Sequence, residues 1–551
     1  MKTWTENNGF SISQNKSSVC TFTRKRTILP SHIQLGPYLF AHKNSVKYLG
    51  ITLDRKLLWR DHIQQIIKRT ENSINIIRVF TKSTWGADPN TALLFYQSLV
   101  RSIMDYGSIL YGSASDTQLR KIDIVKNKCL RLCLGLLNTT PINTMEVETC
   151  EPPLPLRRQF LSDKFVMKLY AKKSECINSL HKLFILNLTS PYWSKKKSPV
   201  MVNSYQSLLV NSSHCYTINA DPYYTISYND FLHEIKVHYL KITEYDSPGL
   251  TNKLFQYESK HKWPNSEYIF TDGSKIDDQT GCAFYHENKN YYEMFKLPDE
   301  SSIFTAEQYA VQKAMEYAKS SPHFNYVIFT DCKSLVDKLR STNKITKVDK
   351  IYAKILSVHG ELKQMNKNLE IVWIKGHIGI KSNETVDHYA KTAVTMGRTT
   401  TESMLPPSDL TPIFRRNLKL KWQNIYEDSL SGAVYKQIQP TIRQKTWFHN
   451  LVNRQFIKTI TRLRTNHALY PKYQHKIGQT NNPNCLCGEI GDLQHIILEC
   501  PLHITHRDLL LEEIYKLKAE APFNLTTLLA SDNLSIFNSI FGFIKRSSIR
   551  I

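Results

Sequence analysis

The chain has 551 residues, too many for one compact core, and its hydrophobic (41%) and charged (22%) fractions are those of globular protein. Lys and Arg number 72 against 48 Asp and Glu, a formal net charge of +24, which favours a polyanionic partner, nucleic acid before an anionic membrane, over charge carried for solubility alone. No long uncharged apolar run is present, which argues against a membrane span. The N-terminus lacks the apolar core of a signal peptide, and the eleven scattered cysteines read as reduced thiols, so the expected location is intracellular, cytoplasm and/or nucleus, and not secreted.

Residues 1 to about 50 read as mixed α/β. Phe10-Ser11-Ile12-Ser13 alternates, Cys20-Thr21-Phe22-Thr23 precedes the basic cluster Arg24-Lys25-Arg26, and Val46-Lys47-Tyr48-Leu49-Gly50-Ile51 is a short strand. From Leu57 to about Phe80 the period turns helical through Ile63, Ile66, Ile67, Ile74 and Ile77. A second helical run opens at Pro89 and ends near Gly107; a third carries Leu119, Ile122, Val125, Leu130 and Leu134, with Cys129 and Cys133 as buried core. After the break Glu151-Pro152-Pro153-Leu154-Pro155, residues 156–262 read as a partly helical, loosely ordered linker holding Lys195-Lys196-Lys197 and a Tyr-rich stretch around Tyr223-Tyr224. The lysine run is read as a solvated loop before a phosphate contact.

Residues 263 to 396 are the clearest domain. Strands at 268–272, 282–286 and 291–295 make a meander, and Thr305 can cap the helix that follows. Then come a strand at 326–331, helices near 335–339 and 347–366, a strand at 371–374 and a helix near 383–393. Within this order Ile269-Phe270-Thr271-Asp272-Gly273-Ser274 is echoed by Ile328-Phe329-Thr330-Asp331. Parallel pairing of the first and fourth strands would bring Asp272 and Asp331 together. Two such carboxylates need a proton or a cation between them, and hard oxygen ligands without Cys or His suggest Mg²⁺. On these stretches alone, two ordinary strand-ending Asp residues in turns are an equal reading.

Glu307, in the first turn of the helix after the meander, and Asp387, in the last helix, add two acids. Thr271-Asp272-Gly273-Ser274, Thr305-Ala306-Glu307, Phe329-Thr330-Asp331-Cys332-Lys333-Ser334 and Gly376-His377-x-Gly379-Ile380-x-x-Asn383-Glu384-x-x-Asp387 together resemble type 1 ribonuclease H. The resemblance implies a ribonuclease H-like α/β domain, a mixed five-stranded sheet with helices, flanked by mainly α-helical regions. It implies a hydrolase that cuts the RNA strand of an RNA–DNA hybrid with two Mg²⁺ ions (Mn²⁺ as substitute) about 4 Å apart, one activating water and one stabilising the leaving 3′ oxygen. Asp272 would bridge the ions, Glu307, Asp331 and Asp387 would complete them, and His377 would shuttle a proton or help product leave. Ser274 and Asn383 are candidate nucleic-acid contacts, reading shape and the 2′-OH rather than base sequence. The sequence departs from related loops at Lys375, Ser382 and Val386, none of which removes a ligand.

The flanks Gly9-Phe10-Ser11-Ile12-Ser13-x-x-Lys16, Val46-Lys47-Tyr48-Leu49-Gly50-Ile51-x-Leu53-Asp54 and Trp59-x-x-His62-Ile63 resemble the palm–thumb region of non-LTR, jockey-type retrotransposon reverse transcriptases. The polymerase's Tyr-x-Asp-Asp motif does not occur, so no polymerase activity is expected, and the chain looks like the C-terminal part of a longer polyprotein or a truncated copy. Near the end, Cys485-x-Cys487, His495 and Cys500 form a Cys₃His set for Zn²⁺, with a metal-free buried cluster as the alternative. The upstream Arg462, Arg464 and His467 favour RNA or DNA phosphate. The stretch around Ile536–Ile544 reads as a packed amphipathic helix before a membrane anchor. The expected divisions are 1–55, a palm/thumb remnant; 56–155, thumb-like; 156–262, connection; 263–396, ribonuclease H; 397–480, basic and helical; 481–505, a zinc-knuckle-like motif; and 506–551, a helical tail. The rival to the nuclease is a catalytically silent nucleic-acid-binding remnant of a mobile element.

Overall fold

The computed structural model describes residues 4–551 other than 5–6, 11–12, 24, 26–29, 36–37, 83–85, 194, 196, 213–214, 216–233, 243–246, 341–348, 401–404 and 519–521. Most of the alternation at Ser11-Ile12, the ends of the Arg24–Arg26 cluster, Lys196 and the Tyr223-Tyr224 stretch lie outside the described residues. The chain divides into two compact units, Met1–Leu161 with Asn417–Ile551, and Ser162–Arg416.

The first unit begins with two antiparallel pairs, β1 (His32–Leu35) with β2 (Tyr38–Ala41), and β3 (Ser45–Tyr48) with β4 (Ile51–Asp54). The single strand expected over 46–51 is therefore a hairpin. Leu49 and Gly50 take positive φ, 45° and 81°, the backbone of a tight two-residue turn, and Leu-Gly lacks the Asn-Gly signal that usually marks one. Helices α1 (Arg60–Phe80), α2 (Pro89–Phe95), α3 (Asp116–Leu134) and α4 (Ile142–Thr149) follow. Ile63, Ile66, Ile74 and Ile77 of α1 bury against Leu119, Ile122, Leu130 and Leu134 of α3, and Cys129 and Cys133 are core as expected.

The second unit begins within a helix over Leu154–Ala171 that crosses the division, and continues with α5 (Cys176–Thr189) and α6 (Val200–Asn211), then β5 (Lys236–Tyr239) and α7 (Pro248–Lys262). Where it is described, the expected loose linker therefore forms regular helices and a strand. Its strand β5 pairs in parallel with β10 (Asn368–Trp373), and Phe255 of α7 packs on Phe270 and Phe329, ring centroids 5.9 and 5.1 Å away. The remaining strands are β6 (Glu267–Ile276), β7 (Gln279–His286), β8 (Tyr291–Leu297), β9 (Asn325–Thr330) and β11 (Arg398–Thr399). Among the described residues the sheet has seven strands in the order β11-β8-β7-β6-β9-β10-β5, so the five expected strands sit in the middle and gain one more at each edge. The echoed stretches lie side by side in register, Ile269 opposite Ile328 and Thr271 opposite Thr330. Period-two alternation sends Ile269 and Ile328 to one face and Phe270 and Phe329 to the other. Helices α8 (Ile303–Ser320), α9 (Lys333–Arg340) and α10 (Lys350–Gln364) bury their apolar side chains with the first face, and α11 (Lys381–Met396) with the second. Ser302, rather than Thr305, caps α8, accepting from the Thr305 amide at 3.2 Å.

The C-terminal part of the first unit holds α12 (Thr411–Asp428), which crosses the division, α13 (Ala433–Ile438), α14 (Arg454–Arg464), α15 (Ile504–Lys516), α16 (Leu525–Ala530) and α17 (Leu534–Arg546). Ile457 and Ile460 of α14 and the buried face of α17 (Ile536, Phe537, Ile540, Phe541, Phe543, Ile544) share one core with α1 and α3. Among the described residues no helix is long and apolar enough to cross a membrane. The phosphate reading of the basic run before the Cys/His motif is corrected here. Arg464 is fully buried against Glu148, Arg462 donates to the oxygens of Gly135 and Ile551, and His467 bonds the Tyr473 hydroxyl at 2.8 Å. Burial pushes His467 down to about 4, so it stays neutral.

Candidate active site

Asp272 sits on β6, opposite Ala283 of β7 and one residue past the last β6–β9 pair, Thr271 with Thr330. Asp331 follows β9 directly, so in-register pairing of the two strands delivers both carboxylates to one end of the sheet. Trp373 holds the Asp331 carbonyl by an indole N–H bond of 3.0 Å. Glu307 arrives from the second turn of α8, one turn later than the sequence suggests, and Gly273 makes this approach possible. A Cβ at Gly273 would lie 2.8 Å from the Glu307 amide nitrogen and 2.9 Å from the Ala306 Cβ. One oxygen each from Asp272, Glu307 and Asp331 falls within 4.8 Å of the others.

Three acids so placed cannot all ionise. Burial, then the charges of Asp331 and Asp387, pushes the Asp272 carboxyl up to about 7. Burial, then the charges of Asp272 and Asp331, push Glu307 well above the carboxylate range. A hydrogen bond between the two lowers Asp272 and raises Glu307, so the proton resides on Glu307. Burial also raises Asp331, opposed by an Asn383 hydrogen bond and the charge of His377. Glu307 Oε2 is buried with no hydrogen-bond partner among the described residues. A set of hard oxygens, mutually repelling and with one oxygen orphaned, fits a divalent cation of the Mg²⁺ kind.

Asp387 stands outside that tight group. It lies one turn into α11, and its Oδ2 accepts from Lys391 Nζ at 2.6 Å, although its charge still reaches Asp272 and Asp331. His377 is exposed on the loop before α11 with φ 56°. Ser274 is half-buried on β6, within reach of a surface ligand. Asn383 is 3% exposed and hydrogen-bonds Asp331, so the expected nucleic-acid contact is corrected: this side chain positions Asp331.

Two supports come from outside the expected domain. Pro248 of α7 packs against Gly379, where φ is +88° and a Cβ would lie 2.7 Å from the Pro248 Cβ, and Asn252 accepts from the Lys381 amide at 3.0 Å. Both brace the His377 loop. Asp409 accepts from the Ser302 amide at 2.9 Å and from the Thr305 hydroxyl at 2.6 Å, fixing the start of the helix that carries Glu307. No local pattern marks either contact, because the partners are more than a hundred residues apart in the chain.

The Cys/His motif is also assembled. Cys485 and Cys500 sulfurs are 3.6 Å apart, Cys487 Sγ is 3.1 Å from His495 Nε2, and the four ligand atoms lie within 4.8 Å of one another. A tight turn returning at Gly488 (φ 99°), with the Cys485 amide bonded to the Glu489 carbonyl at 2.7 Å, lets Cys485 and Cys487 face the same centre despite the short spacing. The sulfur separation suits tetrahedral Zn²⁺ with Zn–S near 2.3 Å.

The family model described as RNase H matches residues 264–395. The chain is similar to the RNA-directed DNA polymerase from mobile element jockey of Drosophila melanogaster, 27% identical over 190 residues, covering 33% of this chain and 20% of that protein. It is also similar to the probable RNA-directed DNA polymerase from transposon X-element of the same species, 27% identical over 151 residues (26% and 16%). A third relative is the Pol polyprotein from type-1 retrotransposable element R1 of Bradysia coprophila, 25% identical over 141 residues (24% and 14%). The matched stretch spans a fifth or less of these curated relatives.

Proposed function

We infer that this chain, which carries a ribonuclease H domain of non-LTR retrotransposon type at residues 264–395, hydrolyses the RNA strand of RNA–DNA hybrids. The observation that carries the reading is the meeting of Asp272, Glu307 and Asp331 within 4.8 Å, with Asp387 one step away. Asp272, Glu307, Asp331 and Asp387 would hold divalent metal, Mg²⁺ or Mn²⁺, which when bound supplies an activated water and charge stabilisation for the leaving 3′ oxygen. His377, on an exposed loop next to Asp331, takes or returns a proton at the surface of the site. Asn383 and Trp373 hold Asp331 in place, and Ser274 meets the hybrid backbone. With Mg²⁺ and an end-labelled RNA–DNA hybrid, wild type is expected to cut the RNA strand alone and Asp331→Asn to cut nothing. A folded wild type without cleavage would favour the silent binding remnant.

The Cys485, Cys487, His495 and Cys500 set is proposed to hold Zn²⁺ as a structural ion, since all ligands come from the protein and none is left open. Purified chain should carry zinc by elemental analysis and lose it on Cys487→Ser; metal-free wild type would rule the assignment out.

A further inference from the structure

Strand β5 lies outside the stretch matched by the family model, residues 264–395, yet its last residue stands at the end of the sheet that carries the acids. Strands β9, β10 and β5 run parallel, and Thr330, Trp373 and Tyr239 form one cross-strand row at their carboxyl ends. Asp331 is the next residue after that row. Backbone pairing runs up to this limit. The Ile374 N–H donates to the Thr330 carbonyl at 3.0 Å, and the Leu240 N–H to the Trp373 carbonyl at 2.9 Å. The Trp373 indole in turn holds the Asp331 carbonyl.

Tyr239 touches what lies on both sides of Asp331. Its ring packs on the Trp373 ring, centroids 6.2 Å apart and planes inclined at 51°, and both side chains join the core that α9 covers. Its hydroxyl donates to Asp337 of α9, and the Arg340 guanidinium lies over its ring, 5.7 Å from the centroid. Asp337 and Arg340 share one face of α9, a helix that starts at Lys333, just after Asp331. One side chain therefore ties the strand that holds the Asp331 carbonyl to the helix into which Asp331 leads. Cover for a sheet edge asks only for an apolar ring. Tyr239 adds a hydroxyl bond and a cation on its face, both directed to α9.

We propose that Tyr239 is a positioning residue of the carboxylate site, holding Asp331 through Trp373 and α9 so that it can ligate divalent metal. The proposal rests on the metal-dependent nuclease reading and extends its working parts beyond the matched domain. A ligand held in place before the ion arrives loses less freedom on binding, so the tie acts on metal affinity first.

The test uses the full chain and reads Mn²⁺ binding to metal-free protein by the paramagnetic resonance of the free ion, counting only the binding that Asp331→Asn abolishes. Tyr239→Ala should weaken that binding about tenfold, and Tyr239→Phe, which keeps the ring and loses the bond to Asp337, about threefold. The Mg²⁺ needed for half-maximal hybrid cleavage should rise by the same factors, with the rate at saturating Mg²⁺ nearly that of wild type. Asp337→Ala leaves the edge strand and both rings intact, so it reads the tie even if Tyr239→Ala does not fold. It should match Tyr239→Phe, and the two together should be no worse than either alone. A lowered Tm with unchanged Mn²⁺ affinity, or additive effects of the two substitutions, would overturn the proposal and leave Tyr239 as cover for the edge. Wild type that binds Mn²⁺ at Asp331 but leaves the hybrid uncut would overturn the nuclease reading and not the role of Tyr239. Wild type without such binding would overturn both.

Discussion

At Asp272 burial and neighbouring charge act in the same direction, and the consequence is measurable. Its folded pKa of about 7 exceeds the ordinary 3.8, so the folded state binds the proton more tightly than the unfolded chain does. The stabilisation from the neutral form is complete below pH 4 and is lost as pH rises through about 7. Metal-free protein should therefore weaken between these limits, while metal affinity should rise across the same range as protons are displaced. Asp272→Asn removes the charge that costs stability. In metal-free buffer its Tm is expected to match wild type near pH 4 and exceed it at pH 8, by roughly 1–3 kcal/mol of stability, while hybrid cleavage is lost. An equal or lower Tm at pH 8 would mean that the acids do not repel one another as placed. Asp272, Glu307, Asp331 and Asp387 were legible because each stands in a short motif. Lys391 on Asp387 was not, since an i,i+4 ion pair on a helix is too common to signal anything by itself.

Elements explain why the motifs meet. The echo of Ile269–Asp272 in Ile328–Asp331 was visible in the letters, and parallel pairing in register converts it into two adjacent acids. The edge strand β5 was not visible. Lys236-Val237-His238-Tyr239 is four residues long, and its partner on β10 lies far along the chain, so no local period announces it. Helix α7 was hidden for a related reason: its burial rests on Thr251, Phe255 and Ser259, a stripe with one large apolar residue. Asp409 makes the same point as a test. It reaches the start of α8 from beyond the matched domain, 107 residues from Ser302. Asp409→Ala leaves the Ser302 amide and Thr305 hydroxyl without their acceptor, a loss of about 1–2 kcal/mol. Because Glu307 lies within two residues of that hydroxyl, cleavage by the folded variant should need more Mg²⁺ for half-maximal rate, and Asp409→Asn should recover part of the loss. An unchanged Mg²⁺ requirement would show that α8 is held well enough by Ser302 and by its packing on the sheet.

At the scale of the whole molecule, linear division of the chain misleads. The thumb-like residues and the C-terminal residues were read as separate pieces, yet Met1–Leu161 and Asn417–Ile551 form one unit with a shared core. Its centre is polar. Arg464 and Glu148, 0% and 1% exposed, pair at 3.2 Å; Glu148 also accepts from the Trp447 indole at 2.6 Å and from the Tyr435 hydroxyl. Arg464 donates further to the Leu529 carbonyl at 2.6 Å and to Gln439 at 3.3 Å. An ion pair so deep adds little net stability against a well-packed apolar substitute, but removing one partner strands the other charge. Glu148→Ala leaves Arg464 Nε and the Trp447 and Tyr435 donors without their acceptor, with Asp532 at 3.3 Å the remaining carboxylate on the guanidinium, an expected loss of about 3–5 kcal/mol. Glu148→Gln keeps an acceptor and should lose less. If the two segments are one cooperative structure, amides of α3 and of α14, far apart in sequence, lose hydrogen-exchange protection together in Glu148→Ala. Loss confined to α4 would mean that the pair is a local contact and that the shared core survives without it. The first outcome would make the basic residues before the Cys/His motif the polar keystone of this unit, which is why their phosphate-like pattern in the sequence pointed elsewhere.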